Sequence, residues 1–235
     1  MPMFKKAERC IVAPKIAFQG VSGAGKTYSA LRFARGFVGE QGKIALIDTE
    51  NNSASLYANV TDFDVVSIAP RTWGDVTSYW HDDFKQAIQE AITLEYDCLI
   101  IDSASHIWQG VLDYKTRLDQ RGGNSFVNWN NAGAQFSSIL NQILQAPIPV
   151  ICCFRSKMEY VLEKDENGKE RPKKVGLAPV TRADSEYEFT LVFEINRSHS
   201  AEVSKSRCSA FDSTFCSLIT ENEGRAFKEW VECLK

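Results

Sequence analysis

The chain has 235 residues, 44% hydrophobic and 24% charged, enough for a substantial core in one large α/β domain or two small ones. Its formal net charge of −3 excludes a protein that grips nucleic acid by bulk charge, so any such contact needs a local basic surface. No apolar run reaches the ~18 residues of a membrane span, and the basic start, Met1 to Arg9, has no apolar segment behind it to make a secretory signal.

Seven cysteines without a C-x-x-C pair, and three scattered histidines, give no metal-ligand spacing. Cys98, Cys152 and Cys153 sit inside apolar runs and read as small core residues in a reducing cytoplasm.

Residues 1–14 read as an N-terminal arm on a single domain that spans the chain. A strand-like run, Lys15 to Gln19, leads into Gly20-Val21-Ser22-Gly23-Ala24-Gly25-Lys26-Thr27, a G-x-x-x-x-G-K-[ST] string. A helix is predicted over Tyr28–Val38. Further buried strands are predicted at Ile44–Ile47, Val65–Ile68, Cys98–Ile101 and Val150–Phe154, with helices over Val76–Leu94 and Ala132–Leu144. The last third differs: a polar hairpin or mobile loop turns at Glu166-Asn167-Gly168. Strands follow at Thr190–Ile195 and Ala201–Ser204, then a closing helix at Glu221–Leu234 with Phe227, Trp230, Val231 and Leu234 on one face. The alternation argues for an α/β fold: a mostly parallel central sheet, helices on both faces, and a C-terminal antiparallel extension.

The chemistry gathers where strands end. Backbone amides of Gly20, Ser22, Gly23, Ala24 and Gly25 suit a phosphate chain, and the helix opening at Tyr28 aims its positive dipole at the same anion. Lys26 can reach the terminal phosphates, and the Thr27 hydroxyl can ligate Mg²⁺. Asp102 closes an apolar strand and reads as the second Mg²⁺ element, against the plainer role of a strand cap. Glu50, after Ile44-Ala45-Leu46-Ile47-Asp48-Thr49, reads as the group that activates water, placed on a strand beside the phosphate loop; a solvated strand-end carboxylate is the alternative.

This order of phosphate loop, Ile-Asp-x-Glu and apolar strand with Asp-Ser resembles the RecA-like recombinase core. F-K-K-A-E-R, G-K-T-Y-S-A-L, R-G-G-N-S-F and K-V-G-L-A-P extend the likeness to the short, phage-encoded RecA-like ATPases associated with single-strand annealing. The resemblance implies that Glu50 activates water, and that Tyr57 stacks on adenine; a half-buried packing role for Tyr57 is the alternative. It implies two DNA-binding loops. One spans about Gln109–Asn130, with Lys115, Arg117, Arg121, Phe126 and Trp129. The other spans about Ser156–Arg182, with Lys157, Lys169, Arg171, Lys173 and Lys174, although five acidic residues dilute its charge. Lys205 and Arg207 would reach a neighbouring subunit's γ-phosphate, against the alternative of two surface cations. Phe4-Lys5-Lys6-Ala7 matches an F-x-x-A docking plug, and Arg155 stands where the family usually has a sensor Gln.

The implied protein is an ATP- and Mg²⁺-dependent ATPase in the cytoplasm of a bacterial host. It would bind single-stranded DNA as a ring or filament of its own copies and promote recombination or annealing. Its partners would be DNA, itself and, more remotely, a single-strand-binding protein, with no membrane. Two other readings stay open: a P-loop small-molecule kinase with Ser156–Arg182 as a basic lid, and a non-hydrolysing ATP-binding switch.

Overall fold

Short apolar runs with period-two alternation form the strands, and longer runs with helical spacing form the layers over them. The structure is a computed structural model that describes Phe4, Lys6 and residues 13–164, 170–183 and 185–233. In chain order the elements are β1 (Lys15–Gly20), α1 (Lys26–Val38), β2 (Ile44–Asp48), β3 (Asp64–Ser67), β4 (Arg71–Trp73), β5 (Val76–Ser78), α2 (His81–Thr93) and β6 (Cys98–Asp102). They continue with α3 (Ser105–Gln120), α4 (Ser125–Gln145), β7 (Val150–Lys164), β8 (Glu170–Pro179), β9 (Leu191–Ile195), β10 (Ala201–Ser206), β11 (Cys216–Ser217) and α5 (Glu221–Glu232).

The main sheet has the order β11-β10-β9-β1-β7-β6-β2-β3, with β8 attached to β7 as a hairpin. From β9 through β3 every neighbour is parallel. Strands β10 and β11 add the expected antiparallel extension. Alternation sends Ile16, Phe18, Ile44, Leu46, Ile100 and Phe193 to the face covered by α1 and α5. Ala17, Ile47, Leu99, Ile101, Cys152 and Val192 meet α2, α3 and α4 on the other face. Each buried Phe or Ile contributes about 1.5–3 kcal/mol. The three core cysteines are buried as expected, and burial pushes the Cys98 and Cys152 thiols up to about 12.

Helix α5 is fixed at its start by a capping box between Thr220 and Glu223. It lies in backbone contact with α1: a Cβ at Gly224 would stand 2.1 Å from the Phe33 carbonyl oxygen. Arg32 grips Glu221 with two nitrogens, at 2.8 and 2.5 Å, across the same contact.

Four expectations need correcting. Strand β3, read as buried, is exposed along its length at the edge of the sheet. The predicted helix over Val76–Leu94 begins only at His81, because Thr72 and Thr77 pair across a Gly74-Asp75 turn to make the β4–β5 hairpin instead. The segment expected as a first DNA loop, Gln109–Asn130, is mostly helical: α3 runs to Gln120 and α4 starts at Ser125, leaving a four-residue turn, 121–124. Val111 faces the core from α3 while Asn124 caps α4 by accepting the Phe126 amide, so packing and capping override the Gly122-Gly123 pair. Finally, β2 is not beside β1; β7 and β6 lie between them.

Of the expected N-terminal plug, Phe4 is exposed, whereas Lys5 and Ala7 lie outside the described residues. Among the described residues, no helix is long and apolar enough to cross a membrane.

Candidate active site

Gly20 ends β1, and the chain must turn at once into α1. It does so through Gly23 and Gly25, whose φ values of 77° and 92° are open to glycine at little cost. The loop borders an open cleft of about 470 Å³, within the size range of small-molecule sites. Ser22, Gly23, Gly25, Lys26 and Thr27 line one wall; Glu50, Tyr57, Asp102 and Arg155 line the rest. Lys26, Thr27, Glu50, Tyr57, Asp102 and Arg155 therefore meet at one cleft, although Glu50 arrives from a strand three places from β1. The Lys26 ammonium donates to the Gly20 and Val21 carbonyls, both at 3.0 Å, which points it along the loop. Ala24 is buried beneath the loop, and its carbonyl faces Nδ1 of His199 at 3.0 Å. That histidine, from the β9–β10 turn, carries no sequence signal of a role here.

Thr27 Oγ1 donates to Asp102 Oδ2 at 2.5 Å, across 75 residues of sequence. Burial pushes the Asp102 carboxyl up to about 6, partly offset by this hydrogen bond. A hydroxyl and a desolvated carboxylate side by side form a hard-oxygen pair that fits a divalent cation such as Mg²⁺. Its partner in register, Asp48, is spoken for: its carboxylate accepts the amides of Glu50 at 2.6 Å and Ala54 at 2.8 Å. That clamp turns the chain after β2 and sets where Glu50 stands.

Glu50 is not a free carboxylate. Its Oε1 accepts Arg155 Nε at 2.8 Å and Nη2 at 2.6 Å. Both residues stand out in the sequence, but their contact does not. Arg155 is also the point where β7 leaves the main sheet and enters its hairpin with β8, which pairs from Ser156↔Pro179 outward.

Behind Glu50 lies a small buried network. Thr49 Oγ1 accepts the Ser103 amide at 2.7 Å and meets His106 Nδ1 at 2.7 Å. The Tyr79 hydroxyl donates to the Thr49 carbonyl at 2.8 Å, and its ring stacks on His106 with centroids 4.3 Å apart. Burial lowers the His106 pKa to about 4, with Arg155 adding to the shift, so the ring is neutral at physiological pH. This network joins the ends of β2 and β6 to the start of α3. Thr49, Tyr79 and His106 form no local motif, so the sequence carries no signal of it.

Tyr57 stands on the cleft wall, in edge contact with Tyr28 at 6.1 Å, and Arg32 lies 5.6 Å over the Tyr28 ring. Lys205 and Arg207 do converge, but on their own chain. Lys205 Nζ donates to the Glu186 carbonyl at 3.0 Å and to that of Tyr187, and Arg207 Nη2 donates to the Tyr187 carbonyl at 3.1 Å.

The residues expected at DNA are more dispersed. Lys115 is paired with Asp119 on α3, and Arg117 lies over Trp73 and Trp80. Arg121 caps the end of α3 and is exposed. Phe126 and Trp129 are exposed on α4, the latter edge-on to Trp108 at 6.0 Å. Lys157 is exposed on β7. Arg171, Lys173 and Lys174 lie on β8, opposite Glu163, Val161 and Tyr160. Lys169 lies outside the described residues.

A protein-family model described as an AAA domain matches residues 13–215. No curated protein matches the chain. The family match takes in β1, β2, β6 and β7, every strand that feeds the cleft, and the chain therefore belongs to the AAA domain family of P-loop ATPases.

Proposed function

We propose that the protein is an ATP- and Mg²⁺-dependent ATPase that binds single-stranded DNA as a homo-oligomer and promotes recombination or annealing. The observation that carries this reading is the Arg155–Glu50 ion pair. The residue that opens the long β7–β8 hairpin holds the carboxylate best placed to activate water. A strand of DNA gripped by that hairpin would shift Arg155, and the shift would be felt at Glu50. Helix α3 offers a second route, because it begins three residues past Asp102 and carries Lys115 and Arg117.

In this reading the loop amides and Lys26 hold the triphosphate, and Tyr57 flanks the base. Thr27 and Asp102 would hold Mg²⁺, which neutralises phosphate charge when bound. Glu50, released from Arg155, accepts a proton from the attacking water. In an assembly, Lys205 and Arg207 would exchange their Tyr187 contact for a neighbour's phosphate.

The test is ATP turnover with and without single-stranded DNA across a salt series. The rate should rise with DNA, and the rise should fade as salt weakens phosphate contacts. A rate indifferent to DNA at every salt concentration sinks the DNA role while leaving an ATPase.

A further inference from the structure

The β4–β5 hairpin lies outside the main sheet and outside both segments expected to touch DNA. Its outer strand is exposed throughout, yet it holds an indole in the open: Trp73 keeps 57% of its surface accessible. One face of that ring stacks on Trp80, with centroids 5.4 Å apart and planes 16° apart. Trp80 is in turn wedged against His81 and the edge of Tyr114. The stack therefore has a fixed base and an open top.

The Arg117 guanidinium lies 5.0 Å from the Trp73 centroid and 5.2 Å from that of Trp80. With the rings 5.4 Å apart, these three distances make a nearly equilateral triangle. Arg117 therefore lies against both rings at once, and Trp73 still keeps more than half of its surface accessible. Arg121 follows one turn later on the same helix face. Among the described residues, neither arginine forms an ion pair. The acids nearby are engaged: Asp83 by Arg71, Asp82 by Lys85, Asp119 by Lys115, and Asp113 by Ser78 with Gln109, which leaves Asp75 at the hairpin turn.

We infer that Trp73, backed by Trp80 and flanked by Arg117 and Arg121, is a stacking platform for a nucleobase of a single strand, whose adjoining phosphates the two arginines neutralise. A flat, exposed ring with an arginine against it and a second one turn along the same helix matches a chain of flat bases on a phosphate backbone. The inference rests on the single-strand reading and adds to it a base-stacking site on the β4–β5 hairpin.

The experiment measures binding of fluorescein-labelled oligo-dT, and of an abasic oligomer of equal length, by anisotropy. The chains compared are wild type, Trp73→Phe, Trp73→Leu and Arg117→Ala. Wild type should bind oligo-dT about 10-fold more tightly than the abasic strand, and Trp73→Leu should lose about that factor for oligo-dT alone. Trp73→Phe should keep most of the affinity while removing the part of the tryptophan quench that Trp73 gives. Arg117→Ala should weaken both oligomers. Equal affinity of wild type and Trp73→Leu for oligo-dT overturns the platform and leaves the single-strand reading standing. So does loss of self-association, rather than of DNA affinity, in Trp73→Leu, which would make this face a subunit contact. Failure of wild type to bind either oligomer overturns both.

Discussion

β2 and β6 run side by side and end on aspartates in register, Asp48 opposite Asp102. Both carboxylates are buried, and both belong to apolar strands of the same length. Asp48 spends its oxygens on two backbone amides of its own turn. Asp102 has one side-chain partner, the Thr27 hydroxyl of the phosphate loop, and burial raises its pKa to about 6. A buried acid that satisfies backbone donors builds a turn. A buried acid held beside a hydroxyl, and costly to keep ionised, is poised for a cation.

The sharpest way to break this contrast is to neutralise each acid in turn. Asp102→Asn should lower Mg²⁺-dependent ATP turnover by about 1000-fold, the scale of the several kcal/mol a metal lends to phosphoryl transfer. Asp48→Asn places an amide against two backbone N–H groups and should cost about 1–3 kcal/mol of stability while nucleotide still binds. Steady-state kinetics and urea unfolding separate the two. Equal kinetic losses with equal stability would erase the distinction.

Glu50 carries the next largest effect. Glu50→Gln should retain ATP binding and slow turnover about 100-fold or more, the usual contribution of a positioned base. Normal hydrolysis in that variant would move the base elsewhere. Arg155→Ala then probes the restraint on Glu50. The pair is half-exposed, so its release is worth roughly 1 kcal/mol, and DNA-free turnover should rise about five-fold as stimulation by DNA shrinks. A fall in the DNA-free rate would instead make Arg155 a direct participant at the phosphates.

What the sequence disclosed follows the range of the interactions. Gly20 to Thr27 declares itself because a phosphate loop is a local solution, with glycines, lysine and threonine fixed by spacing. The strands at Ile44, Cys98 and Val150 were legible because their burial on both faces leaves unbroken apolar runs. The β4–β5 hairpin was missed because Trp80, Phe84 and Ile88 carry a helical period that hides the β-branched residues just before them. Arg155 and Glu50 are separated by 105 residues, and no local pattern announces which arginine will cross the cleft. Thr49, Tyr79 and His106 meet for the same reason, through a sheet order that places β6 beside β2.

That last network yields the smallest effect, and its sign can be worked out. His106 titrates near 4 in the fold, below its ordinary 6.5. Between those values the unfolded chain binds the extra proton and the folded chain does not, so stability falls as pH drops from about 6.5 toward 4. Asp102 opposes it over nearly the same window. Its carboxyl is raised from 3.8 to about 6, so the folded chain holds the extra proton there, and acidification favours folding. The two slopes partly cancel in the metal-free wild type, which should unfold with little pH dependence from these groups. Each single variant should expose the other: with metal chelated, His106→Asn should grow more stable toward pH 4 relative to pH 7, and Asp102→Asn less stable. Urea midpoints at pH 4.5 and 7 suffice. If both variants keep the wild-type profile, the ring beside Thr49 is open to water, and the tie between the strand ends and α3 is weaker than its geometry implies.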